Sequence, residues 1–272
     1  MNIALTVLGL SLLCLSQTNA AEKYQSCNDT EITSLIQKFK INIIHDSSVN
    51  TSSDNDSNIS NLAPQHTNDP FLSCLKLKDQ NYLFAVSHPT SDQEDVLNYN
   101  LNIYDIHHDT ITTSYYNAKF TVSDAFEFKG LELATNSYST LKNKMVIGLQ
   151  TRYAHQGGIN PYKEFLTLFE LHKAHKFHRI LDELPIYEAE NIQSCIDQDS
   201  EIKRLFILDN KSAYGLQNIK LKETKTRIKF QPDSCEMRPT DTSRSHILKY
   251  DGQQYHFDRE KFFSLNDPNQ EE

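Results

Sequence analysis

Short apolar runs, separated by polar turn residues, follow one another from Pro70 to about Phe263. They are rich in Val, Ile, Leu, Tyr and Phe and recur about every ten residues, as in antiparallel strands joined by short turns. Examples are NYLFAVS, VLNYNLNIYDI, KMVIGLQTRY and SHILKY. In LNIYDI both alternating faces carry apolar residues, so we expect this strand to be covered on both sides. The pattern predicts a mainly β protein, an antiparallel meander that forms a sandwich, a barrel or a partial propeller.

One short helix is predicted ahead of the strands, in CNDTEITSLIQKFKINI. Its N-terminus can be capped by Asn28, Asp29 or Thr30. The next stretch, residues 45–70, is dominated by Ser, Thr, Asn and Asp, which bury too little apolar area to order a segment. We expect it to be a polar flexible loop or linker.

The helix that precedes this linker is indicated by four apolar side chains whose spacing places them on one helical face: Ile32, Leu35, Ile36 and Phe39.

The N-terminus carries the pattern of a cleaved secretory signal. The run IALTVLGLSLLCL has no charge, and the polar SQTNA follows it, which predicts cleavage after Ala20. Since this run is shorter than the roughly 20 residues of a membrane helix, we expect no membrane span in a soluble mature chain. Cys14 is a weaker candidate for lipid attachment, because Leu13 stands where a lipoprotein signal has a small residue. The predicted location is periplasmic, in a Gram-negative source, or secreted.

The mature chain retains four cysteines, Cys27, Cys74, Cys195 and Cys235. An even number in an exported protein favours two disulfides over thiol chemistry. Three pairings are possible, and we favour Cys27 with Cys74 and Cys195 with Cys235, because each pair then lies within its own end of the chain. A cysteine zinc site is not expected, since the closely spaced C-x-x-C pairs that it requires do not occur.

Length and pattern together predict one β-rich domain with short additions. The expected division is a signal peptide at 1–20, a helical segment at 21–44, a linker at 45–70, a β-rich domain at 71–263 and a polar tail at 264–272. About 250 mature residues can bury around three-quarters of their unfolded surface as one domain. The net charge of −9 argues against nucleic-acid and anionic-membrane partners, which require clustered positive charge.

The segment ELHKAHKFHRIL, residues 170–181, places His172, His175 and His178 three residues apart. Strand alternation on both sides predicts a hairpin with a polar tip rather than a helix. We then expect His172 and His175 at the tip and His178 on the strand, pointing away from Phe177, so that only two of the three could readily share an ion. A metal would require another ligand, for which His155 is nearest in sequence. Solvated histidines are the favoured interpretation, and no metal or other cofactor is predicted. The weaker alternative is a metal site of His155, His172 and His175.

Two other polar patterns resemble functional motifs only in part. DNDSN matches the start of a calcium-binding loop, but Ile59 stands where the loop requires Gly and Gln65 where it requires Glu, so a polar linker is favoured. The acidic cluster Glu183, Glu188 and Glu190 could supply the paired carboxylates of a glycosidase. A solvated loop explains this cluster at least as well. Nucleotide-binding glycine loops and the G-x-S-x-G elbow of hydrolases do not occur.

The segment IKLKETKTRIKF, residues 219–230, carries five basic side chains in an otherwise acidic chain. It could be a docking strip for an acidic partner. We favour an exposed edge strand whose lysines prevent another chain from pairing with it. Its apolar positions change from odd to even numbers, which predicts a bulge or turn near Glu223.

The function expected from these patterns is non-enzymatic. A disulfide-stapled β scaffold without a recognisable nucleophile, cofactor loop or complete metal set is typical of a binding or inhibitor protein, whose loops contact a partner. We expect a protein partner in the cell envelope, such as a hydrolase or a toxin. The alternatives are a metal- or carboxylate-dependent envelope hydrolase and a structural envelope protein.

Overall fold

A computed structural model describes residues 24–41, 71–77, 79, 81–93, 96–108, 110–123, 126–134, 145–155, 161–172, 176–190, 195–196, 198–231 and 234–265. Within these residues the chain is mainly β with one α-helix, as predicted. The predicted signal, the whole of the predicted linker with its DNDSN motif, and most of the predicted tail lie outside them. The helix is α1 (Asp29–Phe39), and the strands are β1 (Gln25–Ser26), β2 (Phe71–Lys76), β3 (Tyr82–Ser87), β4 (Pro89–Gln93), β5 (Val96–His107), β6 (Thr110–Ser123), β7 (Phe126–Leu133), β8 (Met145–His155), β9 (Pro161–His172), β10 (Lys176–Glu190), β11 (Gln198–Ala213), β12 (Leu216–Phe230), β13 (Met237–Tyr250) and β14 (Tyr255–His256).

The strands form two antiparallel sheets. In the six-stranded sheet, β1, β2, β3 and β5 are neighbours in that order. Strands β3 and β4 pair with successive parts of the same edge of β5, and β6 pairs with its other edge. The eight-stranded sheet is an uninterrupted meander from β7 to β14. The antiparallel meander expected from the spacing of the apolar runs is therefore confirmed.

A first hydrophobic core lies between the two sheets, with side chains from β2, β3, β5 and β6 on one side and from β7, β8 and β9 on the other. A second core joins side chains from β8, β9 and β10 to others from β12, β13 and β14. Strand β14 contacts β10 although three strands separate them in the sheet order, so the large sheet curls around this second core. The architecture is a sandwich whose larger sheet is curled.

Helix α1 covers the outer face of the six-stranded sheet. Asn28 accepts a hydrogen bond from the backbone N–H of Glu31, and the Glu31 side chain accepts one from the backbone N–H of Asn28, a complete capping box. Leu35 packs in a third core that includes Phe84 and Ile106. Since Leu101 and Ile103 of the same strand as Ile106 lie in the first core, the burial predicted on both faces of LNIYDI is confirmed.

Two disulfides join parts of the fold that are distant in sequence, in the pairing that we favoured. Cys27 before α1 is bonded to Cys74 of β2. Cys195 and Cys235 join the β10–β11 and β12–β13 connections, at the same end of the large sheet. Such a disulfide-stapled β protein is compatible with an extracellular or periplasmic compartment. In the described part of the chain, no helix is long and apolar enough to cross a bilayer.

The lysine-rich segment is not an edge strand, and this prediction is wrong. Strand β12 pairs with β11 on one side and with β13 on the other. Its register with β13 is regular from Ile219 to Phe230, so the bulge predicted near Glu223 is absent from this strand. The apolar positions change phase because Ile219 and Ile228 are both buried but on opposite faces of the sheet.

Candidate functional site

The histidine-rich segment is the β9–β10 hairpin, as its alternation predicted. Glu170 lies directly opposite His178, and His172 lies opposite Lys176. Residues directly opposite each other in an antiparallel pair project from the same face, and so do residues two apart in one strand. Glu170, His172 and His178 therefore share a face. The expectation that His178 could not readily share an ion with the other histidines is wrong for His172, because the pairing register sets His178 opposite Glu170, on the same face as His172.

These three side chains form a compact group of potential metal ligands. His172 Nε2 lies 3.5 Å from Glu170 Oε2, and the ring centroids of His172 and His178 are 5.8 Å apart. One ligand atom from each residue lies within 4.8 Å of the other two. The Glu170 side chain is 2% exposed and that of His172 is 50% exposed. The group thus has a buried carboxylate at its base and two imidazoles at the solvent side.

Glu170 lies at the rim of the second core, on the same face of β9 as Leu166 and Leu168. The Tyr250 hydroxyl lies 3.5 Å from Glu170 Oε2 and 3.1 Å from the Gly252 carbonyl oxygen. Burial and the nearby Glu170 carboxylate raise the pKa of Tyr250 to about 12. This hydroxyl therefore stays protonated at neutral pH, and its single proton can be donated either to the Gly252 carbonyl oxygen or to the Glu170 carboxylate.

The other histidines considered from the sequence do not join this group among the described residues. His155 ends β8 opposite Phe126, and its ring packs edge-on against the Phe126 ring at 5.9 Å. At the other end of β8, Met145 lies opposite Leu171. The length of the strand places His155 roughly 30 Å from the hairpin tip, too far to share an ion with His172. His175 lies outside the described residues.

A second feature is the outer surface of the three strands around the lysine-rich segment. Leu205 lies opposite Lys222, and Ile207 lies opposite Lys220, which is itself opposite Ile247. Since directly opposite residues share a face, these five side chains form one surface, which we call the β11–β13 face. Leu205, Ile207 and Ile247 are 61%, 39% and 48% exposed. Aliphatic side chains thus alternate with lysines on a solvent-facing sheet surface.

The opposite side of the same strands carries a buried ionic network. Glu223 is fully buried and accepts hydrogen bonds from Arg204 Nε at 2.8 Å, Arg244 Nε at 2.6 Å and the backbone N–H of Phe263 at 2.9 Å. Arg204 also donates to Glu188 at 2.7 Å and to the Phe263 carbonyl oxygen at 2.8 Å. Burial alone would raise the pKa of Glu223, but the Arg244 hydrogen bond and the Arg204 charge outweigh it and lower this pKa. The network attaches the C-terminal segment to the sheet.

The acidic cluster predicted as a solvated loop belongs instead to β10, so that expectation is wrong. Glu188 is engaged by Arg204, and the Tyr187 hydroxyl donates to Glu201 at 3.3 Å. Glu183 is half-buried, with a φ of 43°. It lies at an interruption in the β9–β10 register. Burial, followed by the charge of Asp182, raises the pKa of Glu183. At least Glu188 is thus committed to an ion pair that holds the fold together.

No protein-family model, curated protein or solved structure matches this chain. The fold and the side chains on its surface therefore carry the functional inference.

Proposed function

We propose that this protein is an exported, non-enzymatic binding protein of the cell envelope, of the inhibitor type, which captures an acidic protein partner through the β11–β13 face. The observation that carries the proposal is the alternation of exposed Leu205, Ile207 and Ile247 with Lys220 and Lys222 on one sheet surface. Interfaces commonly combine such apolar contact area with charges that select the partner.

The lysines of β12 require an explanation other than protection of an edge. Lysines that prevent strand pairing belong on edge strands, whereas β12 has a neighbour on each side. Exposed aliphatic residues are ordinary when scattered, but here three occupy adjacent strands within one patch. Burial of each against a partner would contribute about 1–2 kcal/mol, taken as part of the value for complete burial of such a side chain. A binding surface accounts for both the lysines and the aliphatic residues.

Charge argues for an acidic partner. Lys220 and Lys222 are exposed on the face, and Lys203 lies beside it with Nζ 2.7 Å from Glu201. The whole chain has a net charge of −9, so this positive patch contrasts with the remainder of the surface. Complementary charge accelerates encounter and suppresses wrong partners. A hydrolase or toxin with an acidic surface would match this charge.

The scaffold behind the face is cross-linked by ion pairs and by a disulfide. The Arg204–Glu223 network lies on the opposite side of the same strands, and the Cys195–Cys235 disulfide links the connections at one end of them. A surface that is already ordered loses little conformational entropy on binding, which favours affinity. These features support a function in binding.

The test compares three forms of the protein as bait in envelope extract of the source organism. The first is the native sequence and the second carries Leu205→Ser with Lys222→Glu. The third is a matched control with Tyr116→Ser and Lys119→Glu, which removes one exposed aromatic residue and one exposed lysine from the other sheet. We expect the native and control baits to retain the same acidic protein, in a complex that weakens as ionic strength rises, and the face variant to lose it.

Several results would contradict the proposal. One is a folded, monodisperse native bait that retains nothing, and another is a retained protein that binds all three baits equally. A basic partner would also contradict it. Light scattering of the native protein provides a further check, because self-association that the face variant abolishes would mean that the face binds a second copy of this chain.

A further inference from the structure

We propose that Glu170, His172 and His178 bind a divalent transition-metal ion, with Zn²⁺ as the best fit. This inference concerns a different part of the molecule from the β11–β13 face and does not depend on the proposed partner. It places a metal site at the rim of the second core, where β9 meets β10.

The distances suit a small tetrahedral ion. Zinc binds histidine nitrogen at about 2.0–2.1 Å and carboxylate oxygen at about 2.0–2.2 Å, so two ligands of a tetrahedral site lie about 3.4 Å apart. The separation of His172 Nε2 and Glu170 Oε2 is 3.5 Å, long for a hydrogen bond but close to this ligand spacing. All three ligand atoms lie within 4.8 Å of one another. Small rotations of the exposed His178 ring can close the remaining gap.

The backbone already holds the ligands together. Glu170 and His172 are two residues apart on β9, and His178 on β10 lies directly opposite Glu170. The β carbons of directly opposite residues are about 5 Å apart, so the sheet register supplies the proximity that metal binding would otherwise have to impose. Lys176, opposite His172, lies on the same face but is exposed, and its long side chain can extend into solvent.

The donor set and its surroundings fit zinc chemistry. Two imidazoles and one carboxylate are a recurrent zinc ligand set in sites that keep a fourth position open. The half-exposed His172 leaves this site accessible, so water or a group from another molecule can occupy that position. The Tyr250 hydroxyl lies 3.5 Å from Glu170 Oε2, where a small shift would provide the outer hydrogen bond that commonly orients a ligating carboxylate.

The experiment is calorimetric titration of ZnCl2 into the purified, tag-free, metal-stripped protein. We expect one zinc per chain. His172→Ala and His178→Ala should each weaken binding by at least about 100-fold, because each removes one of three direct ligands. His155→Ala is the matched control: it removes a histidine from the far end of β8 and should leave the affinity unchanged.

A thermal melt with and without ZnCl2 separates loss of binding from loss of folding. Zinc should raise the melting temperature of the native protein and of His155→Ala, but not that of the His172→Ala, His178→Ala double variant. Both substituted side chains are exposed, so the metal-free melting temperature of the double variant should stay close to that of the native protein. The inference is overturned if zinc does not bind, if binding survives the double substitution, or if His155→Ala weakens it equally.

Discussion

Replacement of Glu223 by Gln tests the buried network that supports the β11–β13 strands. The substitution keeps the shape of the side chain but removes the charge that faces Arg204 and Arg244. Breaking a buried ion pair by removing one partner costs about 3–5 kcal/mol. Glu188, with an oxygen 2.7 Å from Arg204 Nη1, still balances part of the Arg204 charge. We therefore expect Glu223→Gln to lower the free energy of unfolding by about 3 kcal/mol, the lower end of that range.

The measurement is urea unfolding with the disulfides intact, followed by circular dichroism and by tyrosine fluorescence, since the chain has 13 Tyr and no Trp. In a thermal scan the same loss corresponds to a decrease of about 6–12 °C. Glu201→Gln is the control, because the Glu201 side chain is 26% exposed and pairs with the exposed Lys203, so it should cost at most about 1 kcal/mol. Equal, small losses in both variants would refute the assignment of the network as a major stabilising element.

Three further predictions concern the same fold. The pKa of Glu223 is lowered, so its contribution to stability is complete above its ordinary value of 4.5 and is lost as pH falls through the lower folded-state value. The stability difference between native protein and Glu223→Gln should therefore shrink as the pH falls below about 4.5; a difference that grows there would contradict this sign. Removing the Cys195–Cys235 disulfide, which spans 40 residues, should cost about 4 kcal/mol in urea unfolding, and no loss would show that the bond is dispensable. Asn28→Ala should cost about 1 kcal/mol and speed amide exchange in α1, whereas unchanged exchange would argue against the capping box.

The local elements of the fold could be predicted because their signals lie in neighbouring residues. The helical spacing, the cap at Asn28 and the two-sided burial of LNIYDI all depend on short-range chemistry. The number of neighbours of a strand is not encoded in this way. The lysines of β12 suggested an edge strand, but alternating lysines also occur on an internal strand that has one face exposed to solvent. The two cases cannot be distinguished from the sequence of the strand alone. The buried ion pairs of Glu223 could not be predicted either, because the arginines that neutralise it come from the neighbouring strands β11 and β13.

The hairpin site was predictable only in part, for a related reason. Even spacing drew attention to His172, His175 and His178, and alternation correctly predicted a hairpin. Glu170 was overlooked because a carboxylate beside a polar tip is usually solvated, whereas here the curl of the large sheet buries it near Tyr250. The missing information was the pairing register of β9 and β10, which sets His178 opposite Glu170. This register depends on the geometry of the turn between the strands and cannot be derived from the spacing of the histidines.

Photo-crosslinking in living cells tests the function of the β11–β13 face most directly. A benzophenone amino acid would replace Leu205, at the centre of the face, or Tyr116, an equally exposed residue of the other sheet. The account predicts one discrete adduct with an acidic envelope protein from position 205 and none from position 116. Absence of any adduct from position 205 in a folded, exported protein, or the same adducts from both positions, would contradict it.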